Sequence, residues 1–216
     1  IVEKVAAHEF VNVWEAISDL PEISNGGGEE VAFYTDKPNS SFQEFCRGAE
    51  TELKNHVCAR LGKINLERLQ HIPLGGSWRD IPFDLLPKGM QRARRSDHTK
   101  RYGRLDPKGL GSTILTKCDP HWGTFVHPFQ DRVLSVREAA RIQSFPDAVK
   151  FFGSITEQYE QVGNAVPPLF AKSLGEQIRK VLFDSENEGT ELLKNPWRAD
   201  QMQLPIDAER TLRNVG

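Results

Sequence analysis

"SVREAARIQSFPD" at 135–147 and "QVGNAVPPLFAKSLGEQIRKVL" at 161–182 are the stretches on which the fold turns. In the first, Ser135 stands three residues ahead of Glu138, the reciprocal pairing that closes the first turn of a helix, and Val136, Ala139 and Ala140 supply an apolar face. Phe145-Pro146 ends that helix, because the residue before a proline is pushed out of helical backbone. Ser154 and Glu157 repeat the device just upstream of the second stretch. There, Gly163-Asn164-Ala165 reads as a small-residue turn, two prolines follow, and Phe170, Leu174, Ile178 and Val181 mark one face of an amphipathic helix.

Outward from these stretches the chain is less regular. Asn12 is placed to cap a short helix over "VWEAISDL", with Glu15 at the third helical position and Pro21 beyond the end. "NGGGEE" then breaks the chain. Ser41 to Leu61 is periodic in the helical sense, with Phe42, Phe45, Cys46, Ala49, Leu53 and Val57 near one face. "GSTILTK" (111–117) and "GTFVHP" (123–128) have strand character and suit a hairpin. Residues 71–112 are rich in Pro and Gly and carry no long periodicity, the signature of an irregular, recognition-bearing region.

At 216 residues the chain is long enough for a real core, and no apolar run approaches the roughly 20 residues of a membrane span. The first ten residues lack the basic start and apolar core of a secretory signal, which favours the cytosol. Three cysteines without a C-x-x-C point to a reducing compartment and to small buried residues, not nucleophiles. The net charge of −2 hides a patch: "KGMQRARRSDHTKRYGRLDPK" (88–108) holds eight Lys or Arg against two Asp. Charge runs are most often solvated faces, but the arginine excess and Tyr102 favour phosphate or base contact. Cys118, His121 and His127 offer only three ligands at a spacing that matches no common finger, so no metal is expected. There is no G-x-S-x-G elbow, and "NGGGEE" lacks the strand-to-helix context of a phosphate loop.

The order "RVLSVREAARIQSFPD" then "QVGNAVPPLFAKSLG" resembles the ninth and tenth motifs of the DNA cytosine-5 methyltransferases, bacterial type. "RYGRL" and "GSTILTKCDPHWGTFVHP" resemble the end of that family's target-recognition region, and "VNVWEAISDLP" with "HIPLGGSWRDIP" the segments after its eighth motif. The likeness covers about 5–182. It implies double-stranded DNA as partner, S-adenosylmethionine as cofactor, and a bacterial cytoplasmic setting with no membrane. Asn164, Ala165 and Val166 would then touch the cofactor, and Thr113 would lie near the flipped nucleotide's backbone. Arg92, Arg94, Arg95, Lys100, Arg101, Arg104 and Lys117 are the candidates for DNA, since a forked guanidinium suits guanine O6 and N7. Arg137 and Arg141 suit DNA contact and pairing with Glu138 and its neighbours equally.

The family's Pro-Cys loop, Glu-Asn-Val element and F-x-G-x-G turn do not occur in these 216 residues. Cys46, Cys58 and Cys118 follow Phe, Val and Lys, and "QRARR" (91–95) is misregistered against the Q-x-R-x-R motif. No catalytic residue is therefore assigned. The expectation is an α+β fold: an irregular target-recognition lobe with short strands and helices, plus C-terminal helices that complete a Rossmann-like methyltransferase domain supplied by missing sequence. Its parts are a helical lead-in (1–62), the target-recognition region (63–134), the C-terminal motifs that pack on the catalytic domain (135–183), and a linker and tail (184–216). The function expected is target recognition and closure of the cofactor pocket, inactive without a catalytic half in the same longer chain or a separate subunit. The alternative is a stand-alone sequence-specific DNA-binding protein derived from such an enzyme.

Overall fold

The computed structural model describes residues 10–94, 96–97 and 100–180. Its elements are α1 (Val13–Ile17), β1 (Gly28–Phe33), α2 (Ser41–Arg47), β2 (Glu52–Val57), α3 (Lys63–Gln70), two 3₁₀ turns (Trp78–Asp80 and Phe83–Leu85), α4 (Val136–Ile142), α5 (Ile155–Asn164) and α6 (Pro168–Arg179). This is a mixed α/β arrangement with one two-stranded antiparallel sheet among the described residues. Contacts divide the chain into two compact units, Ile1–Leu169 and Phe170–Gly216.

The helix starts follow their capping residues. Asn12 Oδ1 accepts from the Glu15 N–H and Glu15 Oε2 from the Asn12 N–H, both at 2.9 Å. The same reciprocal closure starts α4 at Ser135 and Glu138 and α5 at Ser154 and Glu157. Within α5 lie Gly163 and Asn164, read above as a turn; Ala165 is the cap, in extended backbone, so the small residues finish a helix.

Two further expectations give way in the first third of the chain. The helix over Ser41–Leu61 stops at Arg47, where Gly48 adopts a positive φ of 54°, and β2 follows. Leu53 and Val57 are four residues apart, which places them on one face of a helix but equally on one face of a strand, so periodicity alone misassigned them. "NGGGEE", read as a break, opens β1 instead. Gly28 faces Val57 in the pairing and has φ 91°, and any Cβ there would collide with the His56 carbonyl.

The 111–117 and 123–128 segments form no hairpin. Residues 123–128 bond to their other neighbours: the Val126 N–H donates to Gly103 O, the Leu105 N–H to Val126 O, and the Leu134 N–H to Phe125 O, at 3.0, 3.0 and 2.8 Å. Residues 111–117 lie instead along the helices, with Gly111 against Ile142 and Gly163 against Leu115 and Thr116.

One core cluster joins α1, β2, α4 and α5 through Val13, Ile17, Leu53, Phe125, Val136 and Val162; a second, around Leu69, Trp78, Met90, Tyr102 and Val126, underlies the irregular region. Three arginines lie wholly inside. Arg132 forks onto Glu138 with both bonds at 2.7 Å. Arg137 donates to the carbonyls of Lys54, Pro146 and Val149. Arg141 joins Asp19 on the α1 side to Asp147, which also accepts from the Tyr34 hydroxyl at 2.7 Å. Both candidate roles for Arg137 and Arg141 resolve to structure: their guanidiniums are buried ties between elements, and the partner of Glu138 is Arg132.

In the second unit, the remainder of α6 carries Phe170, Leu174 and Ile178, spaced four apart on one side, and all three are exposed. Val181 and the 184–216 tail lie outside the described residues.

Candidate nucleic-acid interface

Along 111–118, Ile114 and Cys118 are buried in the core while Thr113, Leu115 and Lys117 are exposed. Against this segment lies α5, whose Gly163 admits it: a Cβ there would lie 2.5 Å from the Thr116 nitrogen. Alongside, Trp122 stands exposed, with the Arg101 guanidinium 5.3 Å from its ring centroid and the His121 ring edge-on at 5.1 Å. Thr113, Ile114, Leu115, Thr116, Lys117, Trp122 and Gly163 line an open groove of about 490 Å³. Among the described residues, no carboxylate belongs to that lining. An adjoining recess of about 230 Å³ shares Thr116 and Lys117 and adds Asp119 and Tyr159.

The structure thus brings Thr113 and Lys117 together in one groove, with Arg101 outside the lining but over the Trp122 ring. Lys100 is close by in the chain, its carbonyl accepting from the Thr124 hydroxyl at 3.1 Å. Arg92 and Arg94 stand exposed on the turns after Met90 and do not line the groove, and Arg95 lies outside the described residues. Arg104 is different. It is only 7% exposed, and its guanidinium donates to the carbonyls of Leu69, Ile72 and His127 at 2.8–3.0 Å and to Asp131 at 2.6 Å. With its donors committed inside the protein it has none to offer a phosphate, and the expectation of DNA contact is corrected to a tie beneath the irregular region.

Asn164 and Val166 are exposed and Ala165 half-buried at the end of α5. Asn164 thus presents an exposed carboxamide, donor and acceptor together, just ahead of the extended backbone at Ala165. Among the described residues, no group of three or more His, Cys, Asp or Glu could hold a metal ion. Cys118 is buried, and burial pushes its thiol well up. His127 Nδ1 accepts from the Phe129 and Gln130 N–H groups at 3.2 and 3.1 Å, which leaves the proton on Nε2, facing Glu138 at 3.7 Å.

Burial lowers His127 from 6.5 to about 4, despite the neighbouring Glu138, and lowers His56 in the same sense. A histidine held below its unfolded value binds fewer protons in the native state, so its contribution to stability is complete above about pH 6.5 and is lost as pH falls toward 4. The unfolding free energy should therefore decline across that window with a slope of up to about 1.4 kcal/mol per pH unit for each histidine. Urea unfolding at pH 7.5, 6 and 5 measures it; a flat profile would refute the assignment.

Two contributors escaped the sequence reading: Trp122, which lines the groove, and the Arg132–Glu138 pair, which fixes the start of α4. Burial by itself would raise the Glu138 carboxyl, but the Arg132 guanidinium overrides it and holds the carboxyl well below the usual range. The available signal for Trp122 was a large aromatic in a Gly- and Pro-flanked loop beside a basic segment.

These features can be set beside known proteins. Residues 25–180 match the family described as C-5 cytosine-specific DNA methylase. The chain is 36% identical over 194 residues to DNA (cytosine-5)-methyltransferase 1A of Oryza sativa subsp. japonica, which covers 82% of this chain and 13% of that protein. It is 32% identical over 237 residues to DNA (cytosine-5)-methyltransferase 1 of Mus musculus, covering 82% and 15%. A solved structure described as a DNA modification methyltransferase encoded within an E. coli prophage aligns with a TM-score of 0.57 at 22% identity, covering 79% of this chain and 47% of that one.

The chain belongs to the C-5 cytosine-specific DNA methyltransferase family. It spans 13% and 15% of the length of those plant and animal relatives, and the E. coli structure shares its fold. Among the described residues, no helix is long and apolar enough to cross a membrane.

Proposed function

We propose that this chain is the target-recognition and cofactor-pocket-closing part of a DNA cytosine-5 methyltransferase, and that it transfers no methyl group without a catalytic half. The observation that carries the reading is the close seat of Gly163 on Leu115 and Thr116. It couples the recognition segment at 113–117 to the Asn164–Val166 end of α5 through backbone, so that a gripped nucleotide and a cofactor edge would share one frame. A cytosine inside duplex DNA must leave the stack before C5 can be attacked, which calls for a lobe that grips phosphate while another performs the chemistry.

In this reading Thr113 and Lys117 bind the backbone beside the displaced base, and Lys100 and Arg101 extend the cationic surface. Arg92, Arg94 and Arg95 add phosphate contacts. Asn164, Ala165 and Val166 hold one edge of S-adenosylmethionine, whose bound form supplies an electrophilic methyl group. The cytoplasmic setting and the catalytic-half partner belong to the same proposal. The Rossmann-like sheet on which α6 would dock is part of it too, and so is the division at 62, 134 and 183.

Methylation of cytosine-containing duplex by the purified chain, alone and with a catalytic half, tests it. No 5-methylcytosine is expected from the chain alone, and product is expected on mixing. Arg92→Ala with Arg94→Ala should weaken DNA binding and reduce its salt slope by roughly two units. Product formed by the chain alone overturns the division of labour, and an unchanged slope returns the basic segment to plain solvated surface.

A further inference from the structure

Trp122 is 56% exposed, although a side chain of its size normally gains much by burial. Its neighbours hold it open. Arg101 sits over the ring, and His121 meets it edge-on while making a second edge contact with Tyr102 at 5.9 Å. Tyr102 is itself buried and stacked under the Arg68 guanidinium at 5.7 Å. The ring is therefore braced by a chain of side chains reaching into the second core cluster, and the rest of its surface opens on the groove. The remaining lining combines hydroxyls from Thr113 and Thr116 with the Lys117 ammonium and the apolar Ile114 and Leu115.

A flat aromatic braced by a cation, beside hydroxyls and an ammonium, with no carboxylate among the described lining residues, is the chemistry of a nucleotide site: a face for a base and donors for its phosphate. Paired bases expose only their edges, so only an unstacked base can present its face to the ring. We propose that Trp122 is a stacking platform for one unpaired nucleotide of DNA, with Thr113 and Lys117 holding that nucleotide's phosphate. This rests on the recognition role above and adds to it a preference for disrupted over fully paired duplex.

The test compares the chain's affinity for a short duplex with one unpaired cytosine against the fully paired duplex, and reads the ratio. Stacking of one base on an aromatic side chain predicts a ratio of roughly five- to a hundredfold for the native chain. Trp122→Ala should bring the ratio to about one, while Trp122→Phe should keep most of it. Because the side chain is largely exposed, both variants should unfold at close to the native temperature, which separates loss of stacking from loss of fold.

A native ratio of one with duplex still bound overturns the platform and leaves the recognition role standing. So does a Trp122→Ala ratio equal to the native one. If the native chain binds neither DNA, the recognition role itself fails. Two other occupants would also overturn the proposal. Free deoxycytidine monophosphate binding as tightly as the bulged duplex would make the groove a mononucleotide site. A Trp122→Ala variant that keeps the ratio but no longer restores a catalytic half would make it a protein-docking surface.

Discussion

Arg141→Met is expected to destabilise the chain by about 3–5 kcal/mol, the usual cost of removing one partner from a buried ionic cluster. The native guanidinium bonds to Asp19 and to both oxygens of Asp147, at 3.0 and 2.6 Å for the latter, and also donates to the Ala16 carbonyl at 3.2 Å. Methionine fills much of the space but leaves two carboxylates inside with too little positive charge. Arg137 stays 3.7 Å from Asp147, so Asp19 suffers more. Adding Asp19→Asn to Arg141→Met should therefore recover part of the loss, since the burden is uncompensated charge and not lost volume. Urea unfolding of the three proteins measures the sequence of effects. A cost below about 1 kcal/mol for Arg141→Met would mean that water or rearrangement relieves the buried carboxylates, and that the cluster does not tie α1 to α4.

That cluster also shows why charge was misread in the sequence. Arg104 belongs to the basic segment, and Arg132, Arg137 and Arg141 look no different from its other arginines, because a one-letter string carries no record of what surrounds a side chain. Some of their acceptors come from far along the chain: Asp19 is 122 residues from Arg141, and Lys54 is 83 from Arg137. Local devices were legible by contrast. The capping boxes at Asn12, Ser135 and Ser154 each depend on residues three apart, and each stands where the pattern put it. The family was legible because 132–147 and 161–175 preserve order and spacing together. The groove was half legible. Thr113 and Lys117 were marked from the resemblance, whereas Trp122 needed the fold to bring it beside them.

The β1–β2 pair fell between these cases. Its pairing joins Glu29 to His56 and Phe33 to Glu52, and β1 is mostly exposed, so it shows little apolar alternation to read. Gly28, the residue that permits the approach, sits in a run of three glycines that equally suits a loop. His56 is similarly concealed. It is buried, with Nε2 donating to the Pro21 carbonyl at 2.8 Å and Nδ1 accepting from Ser135 at 2.9 Å, which links β2 to the start of α4.

Gly163→Ala is expected to destabilise the chain by up to about 3 kcal/mol, near the upper end of what overpacking ordinarily costs, and to abolish restoration of activity by a catalytic half. Alanine normally favours a helix over glycine by roughly 0.5–1 kcal/mol, and Gly163 lies within α5, so propensity predicts the opposite sign. Space decides. The added methyl would meet the Leu115 carbonyl and the Thr116 nitrogen, which are backbone atoms and unable to swing aside as a side-chain tip would. Either α5 or the 113–117 segment must move, and Val162 on one side and Ile114 on the other are both buried in the same core cluster. Gly175 in α6 supplies the control, because nothing lies within 4 Å of a Cβ built there. Gly175→Ala should be neutral or slightly stabilising, as propensity alone requires. If Gly163→Ala behaves like Gly175→Ala in urea unfolding, the two backbones are not in contact in solution, and the proposed coupling of the 113–117 segment to the Asn164–Val166 edge loses its physical basis. If it destabilises the chain while mixing with a catalytic half still gives full methylation, the contact is a matter of packing alone.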